Sequence, residues 1–243
     1  LMPLLRMIGE GKETRKSGTY DSHEHQKAAL DVARESVILL KNEDHLLPLP
    51  EGKETGKIAV IGANAAAIHS NGGGSAEIKA LYEISPLLGI KKLLGGNAKV
   101  TYAPGYFVPG KEGKSEINWQ ADSTRHIEEV KAKERAAEEA LSPEEKEAKR
   151  IAREEELRRQ YFDEAVRLAK ESDTVIFVGG LNHDYDVEGK DREDITLPYG
   201  QDELIAALLE ANPDTVICLY AGATVAMPWK EQAKAIVWSY YAG

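Results

Sequence analysis

The sequence of 243 residues contains a single cysteine, Cys218. One thiol forms no intramolecular disulfide, so a disulfide scaffold is excluded. Cys218 lies inside the apolar run Thr215–Leu219, where it serves as a small hydrophobe, and it carries no information about compartment. No stretch approaches the roughly 18 apolar residues of a membrane span. Basic residues are in deficit, with 31 Lys and Arg against 41 Asp and Glu, giving a formal net charge of -10. That balance argues against nucleic acid or an anionic membrane as partner. The N-terminus, LMPLLRMIGEGKE, lacks the shape of a signal peptide, because its apolar part is short, is interrupted by Pro3, and follows no basic region. Position 1 is not methionine and the chain stops at Tyr241-Ala242-Gly243, so a piece of a larger protein, truncated at its C-terminus, is expected.

Several chemistries lack their residues. Gly62 follows an apolar run, but Ala63, Asn64 and three alanines come next, so GxGxxG is not met. Gly72-Gly73-Gly74-Ser75 arrives ten residues later, too late for a tight phosphate turn. That segment reads as a surface loop, or as one that needs close backbone approach to a ligand. His183 has no second histidine at metal spacing, which disfavours zinc. No Gly-x-Ser-x-Gly elbow occurs, and Cys218 lies mid-strand, so nucleophilic Ser or Cys catalysis has no support. No cofactor or metal is implied.

What is present is an alternation of helix and apolar strand. Strands are expected at Lys57–Ile61 (KIAVI), Thr174–Val178, Thr215–Leu219 and Ala235–Trp238, with weaker ones at Ser36–Lys41 and Lys99–Tyr102. Helices are expected over His25–Glu35, Leu87–Leu94 behind the cap Ser85-Pro86, and the segment after Leu197-Pro198, where Leu204, Ile205, Leu208 and Leu209 share a face. Such a series predicts an α/β fold: a three-layer α/β/α sandwich around a mostly parallel sheet. From Thr124 to Ser172 the composition turns to Glu, Lys, Arg and Ala, predicting a protruding helical hairpin, about Thr124–Leu141 and Pro143–Ser172. Its apolar stripe is sparse before Leu157, so only the end of the second helix should dock on the sheet.

The chemistry concentrates in Asp173–Pro198. An apolar run ends at Gly179-Gly180 and opens into a loop with Asp184, Asp186, Glu188, Asp191, Glu193 and Asp194, against His183, Lys190 and Arg192. A buried strand delivering a carboxylate-rich loop is how an open α/β sheet presents a site. Glu188 is the candidate catalytic acid/base. A proton donor to a glycosidic oxygen needs a pKa well above the ordinary glutamate value of roughly 4.3, and Asp184 and Asp186 should push it up. Arg192 should pair with Asp191, Glu193 or an acid outside the chain. Asp184-x-Asp186-x-Glu188 also alternates oxygen ligands as calcium loops do, without the EF-hand pattern. A solvated acidic loop is the bland alternative.

Five segments in order resemble the second domain of family 3 glycoside hydrolases: HQKAALDVARESVILLKNEDHLLPLP, KIAVIGANA, GGGSAEIKALYEISPLLGI, VIFVGGLNHDYDVEGKDREDITLPYGQDELI, and MPW with AIVWSYYAG. The likeness covers Ser22–Gly105 and Asp173–Gly243, and the segment of about 124–157 looks like an insertion. The resemblance implies that residues 1–22 are a linker from a missing (β/α)₈ barrel and that residues 23–243 are the sandwich domain. It implies a retaining β-glycosidase acting on terminal non-reducing β-D-glucosyl or xylosyl residues of plant-type oligosaccharides. The barrel, on the same or another chain, would carry the nucleophilic aspartate. The acid/base loop of such enzymes reads EGxDR, here Glu188-Gly189-Lys190-Asp191-Arg192, so Asp191 and Arg192 become loop supports. The resemblance of the GGGS loop implies that Gly74 and Ser75 are substrate contacts. A periplasmic or secreted bacterial setting is implied, and a homo-oligomer is compatible with the sequence. The competing expectation is a non-catalytic carbohydrate-binding or interaction module.

Overall fold

The computed structural model describes residues 18–19, 21–50, 56–69, 74–76, 80–95, 99–110 and 142–241. The expected first arm of the hairpin, Thr124–Leu141, and most of the expected linker lie outside the described residues. The chain divides into two compact units with the boundary between Ser36 and Val37. In the first unit, α1 (His23–Ser36) starts at Ser22, whose hydroxyl accepts from the His25 amide at 3.3 Å. Ser36 Oγ donates to the Ala33 carbonyl at 2.8 Å, and Lys27 pairs with Asp31 one turn on.

The second unit is built on six strands: β1 (Ile38–Asn42), β2 (Lys57–Ile61), β3 (Lys99–Ala103), β4 (Thr174–Gly180), β5 (Thr215–Tyr220) and β6 (Ala235–Ser239). Their order across the sheet is β1-β6-β5-β4-β2-β3. Every pairing is parallel except β1 with β6, which is antiparallel with a register shift between Leu39 and Lys41. The central strands are uninterrupted apolar runs because both of their faces are covered.

On one face, α4 (Pro143–Lys170) lies against β2 and β3, and α5 (Gln201–Ala211) lies against β4. Ala59, Ile61, Phe177, Ile217, Ala165, Leu204 and Leu208 are wholly buried between them. Each such large side chain contributes on the order of 1.5–3 kcal/mol through burial. On the other face, the short helix α2 (Ala63–Ala66) packs on β4 and on α3 (Pro86–Leu94), enclosing Ile58, Val60, Leu87 and Val178. Cys218 is half-buried on this side, at the edge of that smaller core.

The helix starts follow local chemistry. Ser85 caps α3 by accepting from the Leu88 amide at 3.3 Å, with Pro86 behind it. Ser142 opens α4 with a reciprocal capping box: its hydroxyl accepts from the Glu145 amide at 3.2 Å, and Glu145 accepts from the Ser142 amide at 2.8 Å. The first half of α4 is solvated, and burial begins at Leu157, as the thinning apolar stripe predicts. The segment after Gly62, expected as a loop, instead turns through α2. Its Asn64 is buried because the side-chain amide donates to the Leu181 carbonyl at 3.0 Å, tying the β2 exit to the β4 exit.

Gln201, the first residue of α5, fixes the end of β4. It is fully buried, accepts from the Gly180 amide at 2.8 Å, and donates to the carbonyls of Gly180 at 2.8 Å and Pro198 at 3.0 Å. The two glycines leave room for this. A Cβ on Gly179 would lie 2.3 Å from Gln201 Oε1, and one on Gly180, whose φ is 112°, would lie 2.1 Å from the Tyr220 carbonyl oxygen.

Candidate active site

Strand β4 sits between β2, which leads outward to β3, and β5, which leads the other way to β6. The loops after β2 and β4 therefore diverge at a switch point in the strand order, where open α/β sheets place ligands. Glu188 is on the β4 loop and Gly74-Ser75 on the β2 loop, in a short 3₁₀ turn over Gly74–Ala76. The structure brings the three together. The Ser75 amide donates to Glu188 Oε2 at 2.8 Å, and a Cβ on Gly74 would lie 3.0 Å from the same oxygen. Glycine at 74 permits that approach.

Glu188 occupies the tip of a tight turn. Val187 and Lys190 form an antiparallel bridge, and the Lys190 amide donates to the Val187 carbonyl at 3.3 Å. Gly189 takes φ 77° at the third position, as a type II turn requires. The base of the loop is braced by Asn182, which is buried. Its carbonyl accepts from the Tyr185 amide at 3.0 Å and the Asp186 amide at 2.8 Å, and its Oδ1 accepts from the Asp184 amide at 3.0 Å. Tyr199, held at a positive φ of 65°, stacks on Tyr106 with ring centroids 6.0 Å apart. Its hydroxyl accepts from Asn182 Nδ2 at 3.2 Å and donates to Asp184 Oδ2 at 3.3 Å. Burial pushes the Tyr199 phenol up to about 12, so it remains a donor at neutral pH.

One expectation for this loop is corrected and another is narrowed. The Glu188 carboxyl is held below the ordinary glutamate value, because Ser75 hydrogen-bonds its charged form and the side chain is open to solvent. Asp186 is engaged elsewhere: its Oδ2 accepts from the Gly222 amide at 2.7 Å and from the Tyr241 hydroxyl at 2.9 Å. Nor does Arg192 pair with Asp191 or Glu193. Its Nη2 donates to the Thr224 carbonyl, an acceptor on the β5–β6 connection within reach of the guanidinium fork. Asp191 is exposed. Among the described residues, no three His, Cys, Asp or Glu side chains are grouped to hold a metal ion.

Sequence reasoning missed Gln201, Tyr199, Asn182, Tyr241 and His69. The His69 ring is buried against His183, Tyr220 and Tyr241, with centroids 5.4, 5.9 and 5.8 Å away. Only the glycine pair before the loop and the tyrosines near the chain end hint at these roles. The partners are separated by tens of residues and share no local pattern.

Residues 37–243 match the model of the glycosyl hydrolase family 3 C-terminal domain. The chain belongs to glycoside hydrolase family 3. Within this family it is 36% identical to the β-glucosidase BoGH3A of Bacteroides ovatus, over 99% of this chain and 28% of that protein. It is 32% identical to the periplasmic β-glucosidase of Salmonella typhimurium, over 92% of this chain and 26% of that one. Among solved structures, a family 3 β-glucosidase of Bifidobacterium adolescentis superposes with a TM-score of 0.65 at 26% identity, covering 100% of this chain and 28% of its own. A β-glucosidase of Erythrobacter marinus gives 0.67 at 29% identity, covering 91% and 27%. The chain thus spans little more than a quarter of the length of these proteins, and it corresponds to the C-terminal domain of family 3.

Proposed function

We propose that this family 3 domain supplies the acid/base glutamate of a retaining β-glycosidase acting on terminal β-D-glucosyl or xylosyl residues. The nucleophilic aspartate would come from a (β/α)₈ barrel on the same or another chain, with residues 1–22 as the linker and residues 23–243 as the sandwich domain. The observation that carries the proposal is the placement of Glu188: at the tip of a fixed turn, at the switch point of the sheet, with one carboxylate oxygen anchored by the Ser75 amide.

That anchor divides the carboxyl group. Oε2 is held by the Ser75 amide, and Oε1, which takes no part in that bond, would carry the proton to the leaving group. In the first step Glu188 would protonate the glycosidic oxygen as the aspartate attacks the anomeric carbon. In the second it would take a proton from the water that releases the sugar. Two carboxyl groups about 5 Å apart serve this double displacement. Docking of the barrel would exclude water from Glu188 and bring a second carboxylate close. Both effects raise a carboxyl pKa, offsetting the lowering that Ser75 imposes on the isolated domain. Ser75 and Gly74 would line the sugar site.

The test is Glu188→Ala in the barrel-bearing enzyme. Turnover of an unactivated glucoside should fall by about 10²–10⁴-fold, the usual worth of a general acid/base. Azide should restore turnover of a substrate with a good leaving group by attacking the glycosyl-enzyme. Unchanged turnover would rule out the assignment.

A further inference from the structure

The turn that presents Glu188 is held on both sides by one neighbouring loop. On its N-terminal side, Asp186 Oδ2 accepts from the Gly222 amide at 2.7 Å and the Tyr241 hydroxyl at 2.9 Å. On its C-terminal side, Arg192 Nη2 donates to the Thr224 carbonyl. Gly222 and Thr224 both lie in the connection between β5 and β6, and Tyr241 lies just past the end of β6. Glu188 itself is exposed, and Ser75 is what hydrogen-bonds its carboxylate among the described residues. Its placement therefore depends on how firmly the loop is anchored at either side.

We infer that Asp186 and Tyr241 form a positioning clamp for the acid/base glutamate, with Gly222 as its floor. The inference rests on the assignment of Glu188 made above. The geometry favours a clamp over a plain surface contact on three counts. Asp186 uses a single oxygen for two donors that come from two different strand ends, so the loop is tied to β5 and β6 at once. Gly222 leaves no slack, since a Cβ there would stand 2.8 Å from Asp186 Oδ2 and 3.3 Å from the Tyr241 ring. The Tyr241 ring is itself fixed from the side, 5.8 Å from His69 and 5.6 Å from His183. His69 lies on the β2 side of the switch point and His183 within the β4 loop, so the clamp also joins the two loops that meet at Glu188.

The clamp is tested by leaving-group dependence in the barrel-bearing enzyme. An alkyl glucoside needs its leaving oxygen protonated, and a dinitrophenyl glucoside does not. A misplaced acid therefore slows only the first. Tyr241→Phe removes one hydroxyl and keeps the ring. It should lower kcat/KM for the alkyl glucoside about tenfold or more, because small displacements of a catalytic group are costly, while the dinitrophenyl glucoside changes by less than about twofold. Gly222→Ala presses on Asp186 from the opposite side and should give the same split. Equal losses on both substrates in both variants, or no loss in either, would overturn the clamp. Glu188→Ala run in parallel separates the two failures. If it is crippled while Tyr241→Phe and Gly222→Ala show no split, the clamp falls alone. If it is fully active, the acid/base assignment falls and takes the clamp with it.

Discussion

Gln201 offers the sharpest test of what holds the site in place. Its side chain is fully buried and makes three hydrogen bonds, all to backbone groups of Gly180 and Pro198. Gln201→Ala removes all three. At a net worth of about 1 kcal/mol each, the loss is about 3 kcal/mol. The vacated volume adds about 1 kcal/mol, because neighbours in a packed core collapse only in part. A total near 4 kcal/mol should lower Tm by about 8–16 °C in a domain of this size. Gln201→Glu separates hydrogen bonding from volume. The carboxylate is isosteric and keeps the acceptor for the Gly180 amide, but when ionised it offers no donor to the two carbonyls. Burial raises its folded-state pKa above the unfolded value of roughly 4.3. The folded state then binds the extra proton, so the variant should be nearest to wild type at about pH 4, lose stability as pH rises towards its folded-state pKa, and level off above it. Thermal and denaturant unfolding of the chain from pH 4 to 8 measure both effects. A Tm drop under about 3 °C for Gln201→Ala, or a pH-independent offset for Gln201→Glu, would show that these bonds do not fasten β4 to α5 as described.

Two further outcomes follow from the structure. Asp202 Oδ1 accepts from Trp229 Nε1 at 2.8 Å, and burial raises its carboxyl above the ordinary aspartate value. The cost of holding it charged is absent below about pH 3.9 and complete above its folded-state pKa. Asp202→Asn keeps the acceptor, so it should be at least as stable as wild type at pH 7, with the gain vanishing near pH 3.5. A loss at neutral pH that is equal at acid pH would contradict this. Burial also pushes the Cys218 thiol up to about 12, so alkylation by iodoacetamide at pH 8 should be slow in the native chain and fast in denaturant. Equal rates in both would contradict the burial of the sulfur.

The sheet was legible wherever a strand lies inside it. KIAVI, VIFVGG and TVICL read as buried parallel strands because both of their faces are apolar. SVILLK was fainter, because an antiparallel edge strand with a register shift keeps no clean pattern. The Ser142-Pro143-Glu144-Glu145 start of α4 was legible down to the cap, since capping is a matter of four consecutive residues. The site was legible only in part. Glu188 stood out through its loop and the family resemblance, but its contact with Ser75 spans 113 positions and has no local signature. Asp186 could not be told from the acids around it, because what distinguishes it is a phenol and an amide from two other strand ends. The lowered Glu188 carboxyl was missed for a related reason: counting nearby acids ignores where their oxygens point.

The fastening of Glu188 draws on widely separated parts of the chain. Ser75 and His69 precede β3, Tyr106 follows it, and Gly222, Thr224 and Tyr241 come from the far end of the chain. The carboxylate at the switch point is thus held by contacts made early and late in the chain, and a substitution at either end can move it.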